Sequence, residues 1–429
     1  MTHPIGAGDS ASHRLTKPQF NAWLGAFLGW IFDYYEVFLL TFLAVPISRE
    51  FGLSPGDTAY IFSTQLLFLA AGGVLFRYLA DRFGRQRVLV WTIVIYSVFT
   101  FARALSINYE MLLILTALAA LGIGGEYGVG QTLVSEVVPA ERRGWWSGLL
   151  YSGIYVGIAL GAIVGGNVAP LIGWRWTFAL SGIPVLVAIY VRVSTPESEL
   201  WASKRRAAKT NGSLILNRAF LGPFVLCLVA AVLQFFAYYG ITTFLPTFLV
   251  QQGFSLGTAS WWLFFTAVAG LVGSIAGAYT NDQWGRRVTL TYLAGSAALG
   301  GLILFMSWPY LLTSPLILIP FFILYFGSNG ATVFGALFSE QFRTETRSTG
   351  VSAALQIARG LSAIPPIIAA AIFPVYGYAP IVLAGAILFG LLAVWSFVFK
   401  ETRGKDLHEV DPETLGPPTL LALVDDVIE

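Results

Sequence analysis

Asp81-Arg82-Phe83-Gly84-Arg85-Gln86-Arg87 lies between two long apolar runs, 57–79 and 88–107, and Asp282-Gln283-Trp284-Gly285-Arg286-Arg287 lies between two more, 258–280 and 288–308. Each supplies Asp-x-x-Gly-Arg at the same station in its half of the chain. Ser135-Glu136, followed by Arg142-Arg143-Gly144, closes the fourth apolar run of the first half. Ser339-Glu340, followed by Arg347 and Gly350, closes the matching run of the second. Scattered basic residues would satisfy topology alone. Matched spacing in four loops points instead to an internal structural duplication.

The sequence around these loops is 56% hydrophobic and only 11% charged over 429 residues, against roughly 25% charged in soluble chains. An ordinary soluble protein is excluded. Apolar runs fall near 20–47, 57–79, 88–107, 111–137, 146–172, 174–194, 219–250, 258–280, 288–308, 312–339, 348–375 and 378–399. Twelve spans of about 20 residues each require about 240 residues, which this length accommodates. The expected fold is an all-α integral membrane protein with twelve transmembrane helices in two six-helix bundles. Its parts would be a polar tail at 1–17, a first bundle at 18–194, a basic linker at 195–218, a second bundle at 219–400 and a tail at 401–429. The first tail lacks the apolar core of a cleaved leader, so the first span is expected to direct insertion. With Lys204, Arg205, Arg206, Lys209 and the repeated loops on one side, the positive-inside rule puts both termini in the cytoplasm.

Net charge is +2 and the basic residues are dispersed, so nucleic acid is not an expected partner. Cys227 is alone in an apolar run, and His3, His13 and His408 lie in the tails, which leaves no metal cluster and no nucleophile–base constellation. Neither an enzyme nor a resident cofactor is expected.

A charge near the bilayer centre costs about 2.5–3.5 kcal/mol on insertion scales, so each one calls for a reason. Asp33 sits near the middle of span one, and Glu36 follows one turn later on the same face. Two carboxylates that close in low dielectric disfavour double ionisation, which suits proton uptake and release. Glu126, within Gly124-Gly125-Glu126-Tyr127-Gly128 of span four, reads equally as a proton relay or a structural partner. Arg359, about twelve residues into span eleven, carries a planar fork that matches a carboxylate and is the candidate anion clamp; the alternative is a buried pair with an acid such as Glu126. Gln234, Tyr238 and Tyr239 in span seven and Asn329 in span ten could line a site for a small organic acid, although aromatic residues at helical spacing also simply pack. Arg103, near the outer end of span three, is expected to snorkel to the interface, and Arg77 to pair with Asp81. Asp81, Arg85, Asp282, Arg286, Glu136, Arg143, Glu340 and Arg347 read as gate contacts that break and re-form as the halves rock. Gly153, Gly157, Gly161 and Gly165 form a small-residue helix interface.

On the repeated loop, the central basic linker, Gly124-Gly125-Glu126-Tyr127-Gly128 and the closing Glu401-Thr402-Arg403-Gly404-Lys405, the chain resembles the major facilitator superfamily over residues 18–407. Gly29-Trp30-Ile31-Phe32-Asp33-Tyr34-Tyr35-Glu36 and Gln356-Ile357-Ala358-Arg359-Gly360 are similar to stretches of its metabolite:proton symporters, the sialate/lactate and aromatic-acid branches. That resemblance adds Tyr34 and Gln356 to the candidate lining. The chain departs from the pattern at Arg77, where a glycine opens the loop motif, and at Thr116, where an arginine involved in proton coupling stands in parts of the superfamily. The implied function is proton symport of a small organic anion by alternating access, in a monomer of the cell membrane, with the proton gradient as energy source. A sugar or polyol symporter and a proton-coupled efflux antiporter are the competing readings.

Overall fold

The computed structural model describes residues 15–137, 143–183, 186, 190, 218–311, 314–342 and 346–401. α1 (Lys17–Phe51) has 35 residues, about 50 Å at 1.5 Å per residue, more than a hydrocarbon core of about 30 Å requires. It stops at Gly52, whose φ of 64° suits a residue without a Cβ. α2 (Pro55–Phe83) restarts behind a capping box, in which Ser54 N–H donates to the Asp57 carboxylate at 2.9 Å and Asp57 N–H donates to the Ser54 hydroxyl at 3.1 Å. α3 (Arg85–Arg103), α4 (Tyr109–Val137) and α5 (Arg143–Ile163) follow, and α5 runs through one π-helical turn, Val164–Val168, into α6 (Ala169–Leu180). Gly173, at φ 81°, breaks the path inside α6 and makes the turn expected between the fifth and sixth spans.

The second half contains α7 (Arg218–Thr243), α8 (Leu245–Gln251), α9 (Leu256–Gln283), α10 (Arg286–Leu311), α11 (Leu318–Gly327), α12 (Ala331–Ser339), α13 (Arg347–Leu361), α14 (Ile364–Tyr376) and α15 (Ala379–Trp395). Ten described segments are long and apolar enough to cross a membrane. One of them, Leu149–Leu180, holds the fifth span and the start of the sixth. α3 is the shorter remaining one, with Arg85, Arg87 and Arg103 among its 19 residues. The fold is all-α, with twelve spans in two bundles. Nearly all of the linker expected at 195–218, and most of both tails, lie outside the described residues.

Among the described residues, three spans of the second half read from the sequence as continuous are broken, and span six of the first half is interrupted by a turn at Ser181-Gly182-Ile183. Span seven interrupts at Phe244, span ten at Ser328-Asn329-Gly330 and span eleven at Ser362-Ala363. Pro246, Pro365 and Pro366 explain two of the breaks, since each lacks an N–H and its ring crowds the carbonyl four residues back. In span ten Gly327 ends the first helical piece and Gly330 is the last residue of the break.

The glycine stripe of α5 is a helix interface, as expected. A Cβ at Gly153 would meet the Phe27 ring, at Gly157 the Ile31 carbonyl, at Gly161 the Tyr35 carbonyl and at Gly165 the Phe42 ring, all on α1. The halves meet where α2 packs on α13 and α14 and where α5 packs on α9. Ser63 Oγ donates to the Ala363 carbonyl at 2.6 Å, Asn167 Nδ2 to Ser260 Oγ at 3.0 Å, and Ser260 Oγ to the Ala162 carbonyl at 2.8 Å. These bonds lie toward the face that carries the turns at Gly52 and Gly253, opposite the termini.

The duplicated loops share one backbone requirement. Gly84 has φ 108° and Gly285 φ 98°, values that L side chains rarely adopt. A Cβ at Gly285 would also run into the Glu401 carboxylate, which accepts the N–H groups of Arg286 and Arg287 at 3.0 Å each and so caps α10. Gly285→Ala should therefore lower stability by about 1–3 kcal/mol, whereas Gly295→Ala, with open space around its Cβ position on the same helix, should be neutral or slightly stabilising. Thermal unfolding of the two variants in detergent checks the contrast.

Candidate functional site

Asp33 projects from α1 and Glu126 from α4, both buried, and their carboxyl groups lie within side-chain hydrogen-bonding reach of one another. Gly29 makes this approach possible, because a Cβ there would occupy the place of the Glu126 carboxyl. Neither Glu126 oxygen, nor Asp33 Oδ1, receives a conventional donor. The nearer carboxyl partner of Asp33 is thus Glu126 on another helix, with Glu36, one turn away, a weaker like charge.

Glu36 is engaged elsewhere. It forms a buried ion pair with Arg103, whose side chain is fully enclosed and lies over the Phe178 ring at 5.2 Å. The expectation that Arg103 snorkels is corrected: the end of α3 packs against α6, so a residue near the end of the span is still inside the bundle. This pair carries no net charge. Thr116, where the family pattern has an arginine, is also fully buried.

Arg359, on α13, reaches across the seam between the halves. Its Nη2 donates to the Tyr34 hydroxyl at 3.4 Å, its guanidinium lies 5.8 Å from the Phe235 ring centre, and it attracts Asp33 electrostatically. The acid whose charge Arg359 offsets is Asp33. Gln356, one turn earlier, lies so close to α2 that a Cβ at Gly73 would strike its amide.

Tyr238 lines a small cavity between the halves with Phe38, Tyr155, Thr242, Tyr325 and Ser328. Its ring lies 6.5 Å from Phe38, 6.3 Å from Tyr325 and 5.5 Å from Tyr239. Tyr239 lines a second cavity on the other side of Phe38 and Thr242. Gln234 and Asn329 serve the break in span ten: Gln234 Nε2 donates to the Ser328 carbonyl at 2.7 Å, and Asn329 Nδ2 to the carbonyls of Tyr325 and Phe326 at 3.0 and 3.1 Å. Each also keeps a buried amide oxygen without a donor. Sequence reasoning missed Phe38, Tyr155 and Tyr325. Only their helical spacing marked them, and packing explains that equally well.

Arg286 Nε donates to Glu340 at 3.2 Å, and Arg347 Nε to the Ser339 carbonyl at 2.8 Å. These contacts stay within the second half and brace its terminal face rather than bridging the halves. The side chains of Asp81, Arg85, Glu136, Arg143 and Asp282 lie outside the described residues, so the expected Arg77–Asp81 pair does too. Among the described residues no group of three or more His, Cys, Asp or Glu could hold a metal.

The family model described as Major Facilitator Superfamily matches residues 22–365. A cis,cis-muconate transport protein of Acinetobacter baylyi is 30% identical over 359 residues, covering 80% of this chain and 85% of that protein. A niacin transporter of the same organism is 27% identical over 427 residues, covering 89% and 94% respectively. Among solved structures, a D-xylose–proton symporter superposes with a TM-score of 0.73 at 21% identity, covering 90% of this chain and 99% of the other.

The buried Glu36–Arg103 pair yields a stability prediction. Removing one partner leaves the other charge buried and alone, a loss of about 3–5 kcal/mol. Glu36→Ala should therefore unfold at a markedly lower temperature in detergent, and adding Arg103→Met to it should recover most of the difference.

Proposed function

The chain belongs to the Major Facilitator Superfamily and is a multi-pass membrane transporter, and from that premise we propose that it carries a small organic anion together with protons. One observation carries the reading. A guanidinium from one half, Arg359, faces a carboxyl pair from the other, Asp33 and Glu126, across the seam that alternating access must open and close.

Arg359 stays charged and can hold a carboxylate through two parallel N–H donors. Without substrate, an ionised Asp33 supplies its counter-charge. A substrate carboxylate arriving at the guanidinium competes with Asp33 for the same donors. Asp33, losing its counter-charge next to Glu126 and away from water, then retains a proton. Anion and proton are in this way bound together, and the loaded site is nearly neutral when the halves rock. Substrate must favour the occluded arrangement to drive that step.

The cavity beside Tyr238, walled by Phe38, Tyr155 and Tyr325, favours a flat or unsaturated acid over a polyol. The relatives named for niacin and cis,cis-muconate support the same choice. Glu36, neutralised by Arg103, is a structural support of α1 in this reading. The termini face the cytoplasm, the working unit is a monomer of the cell membrane, and the proton gradient is the only energy source.

Uptake into proteoliposomes under an inward proton gradient, with niacin, cis,cis-muconate, lactate and a hexose and with an uncoupler control, tests the proposal. Uncoupler-sensitive accumulation of an acid and not of the hexose is the expected outcome; hexose uptake in its place would sink the reading. Arg359→Ala should weaken binding of the transported acid about ten- to a hundredfold, the worth of one charge-assisted contact. Asp33→Asn should abolish gradient-driven accumulation while leaving exchange of substrate for substrate, and full accumulation by that variant would remove Asp33 from proton coupling.

A further inference from the structure

Glu126 is enclosed on every side. It is 0% exposed, and among the described residues neither of its carboxyl oxygens accepts a conventional donor. Its neighbour is the Asp33 carboxyl, within side-chain hydrogen-bonding reach, at a point where Gly29, one turn before Asp33 on α1, leaves room for it. Two carboxyl groups form a hydrogen bond only when one of them carries a proton, because an ionised carboxylate accepts and cannot donate. The contact therefore calls for a proton between them.

Arg359 decides which of the two holds it. Its charge offsets that of Asp33, so Asp33 is the member that can be buried ionised. An ionised Glu126 would be a charge taken from water with no donor to satisfy it. The other groups around the pair leave this assignment in place. Glu36 on α1 is paired with Arg103, and Tyr96 on α3 is a buried phenol in electrostatic reach of all three acids. α2 meets this stretch of α4 with Leu69 and Phe76, and α5 brings Tyr151 against Trp30, the residue after Gly29.

We propose that Glu126 keeps its proton throughout the transport cycle and donates a hydrogen bond to Asp33, so that Asp33 alone exchanges protons and each acid molecule crosses with one proton. In the empty site Arg359 faces an ionised Asp33 and the charges cancel. In the loaded site Arg359 faces the substrate carboxylate, Asp33 has taken one proton from outside, and the charges cancel again. Release of that proton and of the anion on the inside restores the first state. Glu126 is a positioning residue, since it acts on the transported proton only through Asp33. By steadying the ionised form of Asp33 it keeps that proton easy to release. The inference rests on the symport reading.

The test uses the full chain in proteoliposomes with niacin, lactate and cis,cis-muconate as probes. Uptake of labelled acid is recorded together with loss of protons from the outer medium, and uptake by protein-free vesicles is subtracted. One proton per acid molecule is expected, whichever acid is carried. Two protons per molecule overturns the inference and leaves symport standing, whereas no accumulation of any acid, or accumulation without protons, overturns both. Two variants locate the retained proton. Glu126→Gln keeps a donor beside Asp33 and should leave the pH of half-maximal uptake unchanged. Glu126→Leu removes a neutral donor from the Asp33 carboxylate, so that pH should rise by about one to two units, the worth of one hydrogen bond to a charged group. An ionised Glu126 would give the opposite sign, since loss of a like charge lets Asp33 ionise more readily. A shift in Glu126→Gln, or the absence of a rise in Glu126→Leu, therefore overturns the assignment. Should Glu126→Leu not fold, Glu126→Gln and the proton count decide.

Discussion

The attraction between Arg359 and Asp33 spans the boundary between two bodies that have to move apart, and most of the arrangement around it follows from the cost of keeping charge out of water. A guanidinium buried in a membrane has to be balanced in every conformation, by a protein acid or by a ligand. Asp33, across the boundary, is an acid that can give up its charge by taking a proton. Tyr34 holds Arg359 at 3.4 Å from the other half, and the Phe235 face shields it. Neither of those groups can replace a counter-ion.

The two halves divide the work unequally although their loops repeat. The first half brings four of the five buried membrane charges discussed above, Asp33, Glu36, Arg103 and Glu126, on spans with unbroken helical paths at those positions. The second half brings Arg359 and three interrupted helices. Breaks expose carbonyls and redirect side chains, which is how discontinuous spans build binding sites in other transporters. Here the break in span ten is stitched by Gln234 and Asn329, and Ser328 beside it borders the aromatic cavity. Glu36 and Arg103 cancel each other within one bundle, so their burial leaves no net charge there.

Close approach of backbones underlies the charge arrangement as much as electrostatics does. Gly29 admits Glu126 to α1, Gly157 and Gly161 let α5 lie against the α1 backbone, and Gly73 and Gly270 let Gln356 and Tyr155 press across the seam. With no hydrophobic force between helices in lipid, such contacts supply the packing that holds a site at a fixed spacing.

How much of this the sequence determined by itself depends on the range of the interaction. Composition, run length and the Asp-x-x-Gly-Arg repeat were enough for twelve spans in two related halves, because spanning a bilayer constrains every residue locally. Asp33, Glu126 and Arg359 stood out singly, because a charge in an apolar run is costly whatever surrounds it. The tertiary structure decided their partners. Helical spacing put Asp33 with Glu36 and sent Arg103 to the interface, whereas packing of α1, α3, α4 and α6 put Asp33 with Glu126 and Glu36 with Arg103. Periodicity along one helix reports which residues share a face. Which face meets which neighbour is set by contacts between segments far apart in the chain, and a single sequence carries no local trace of them.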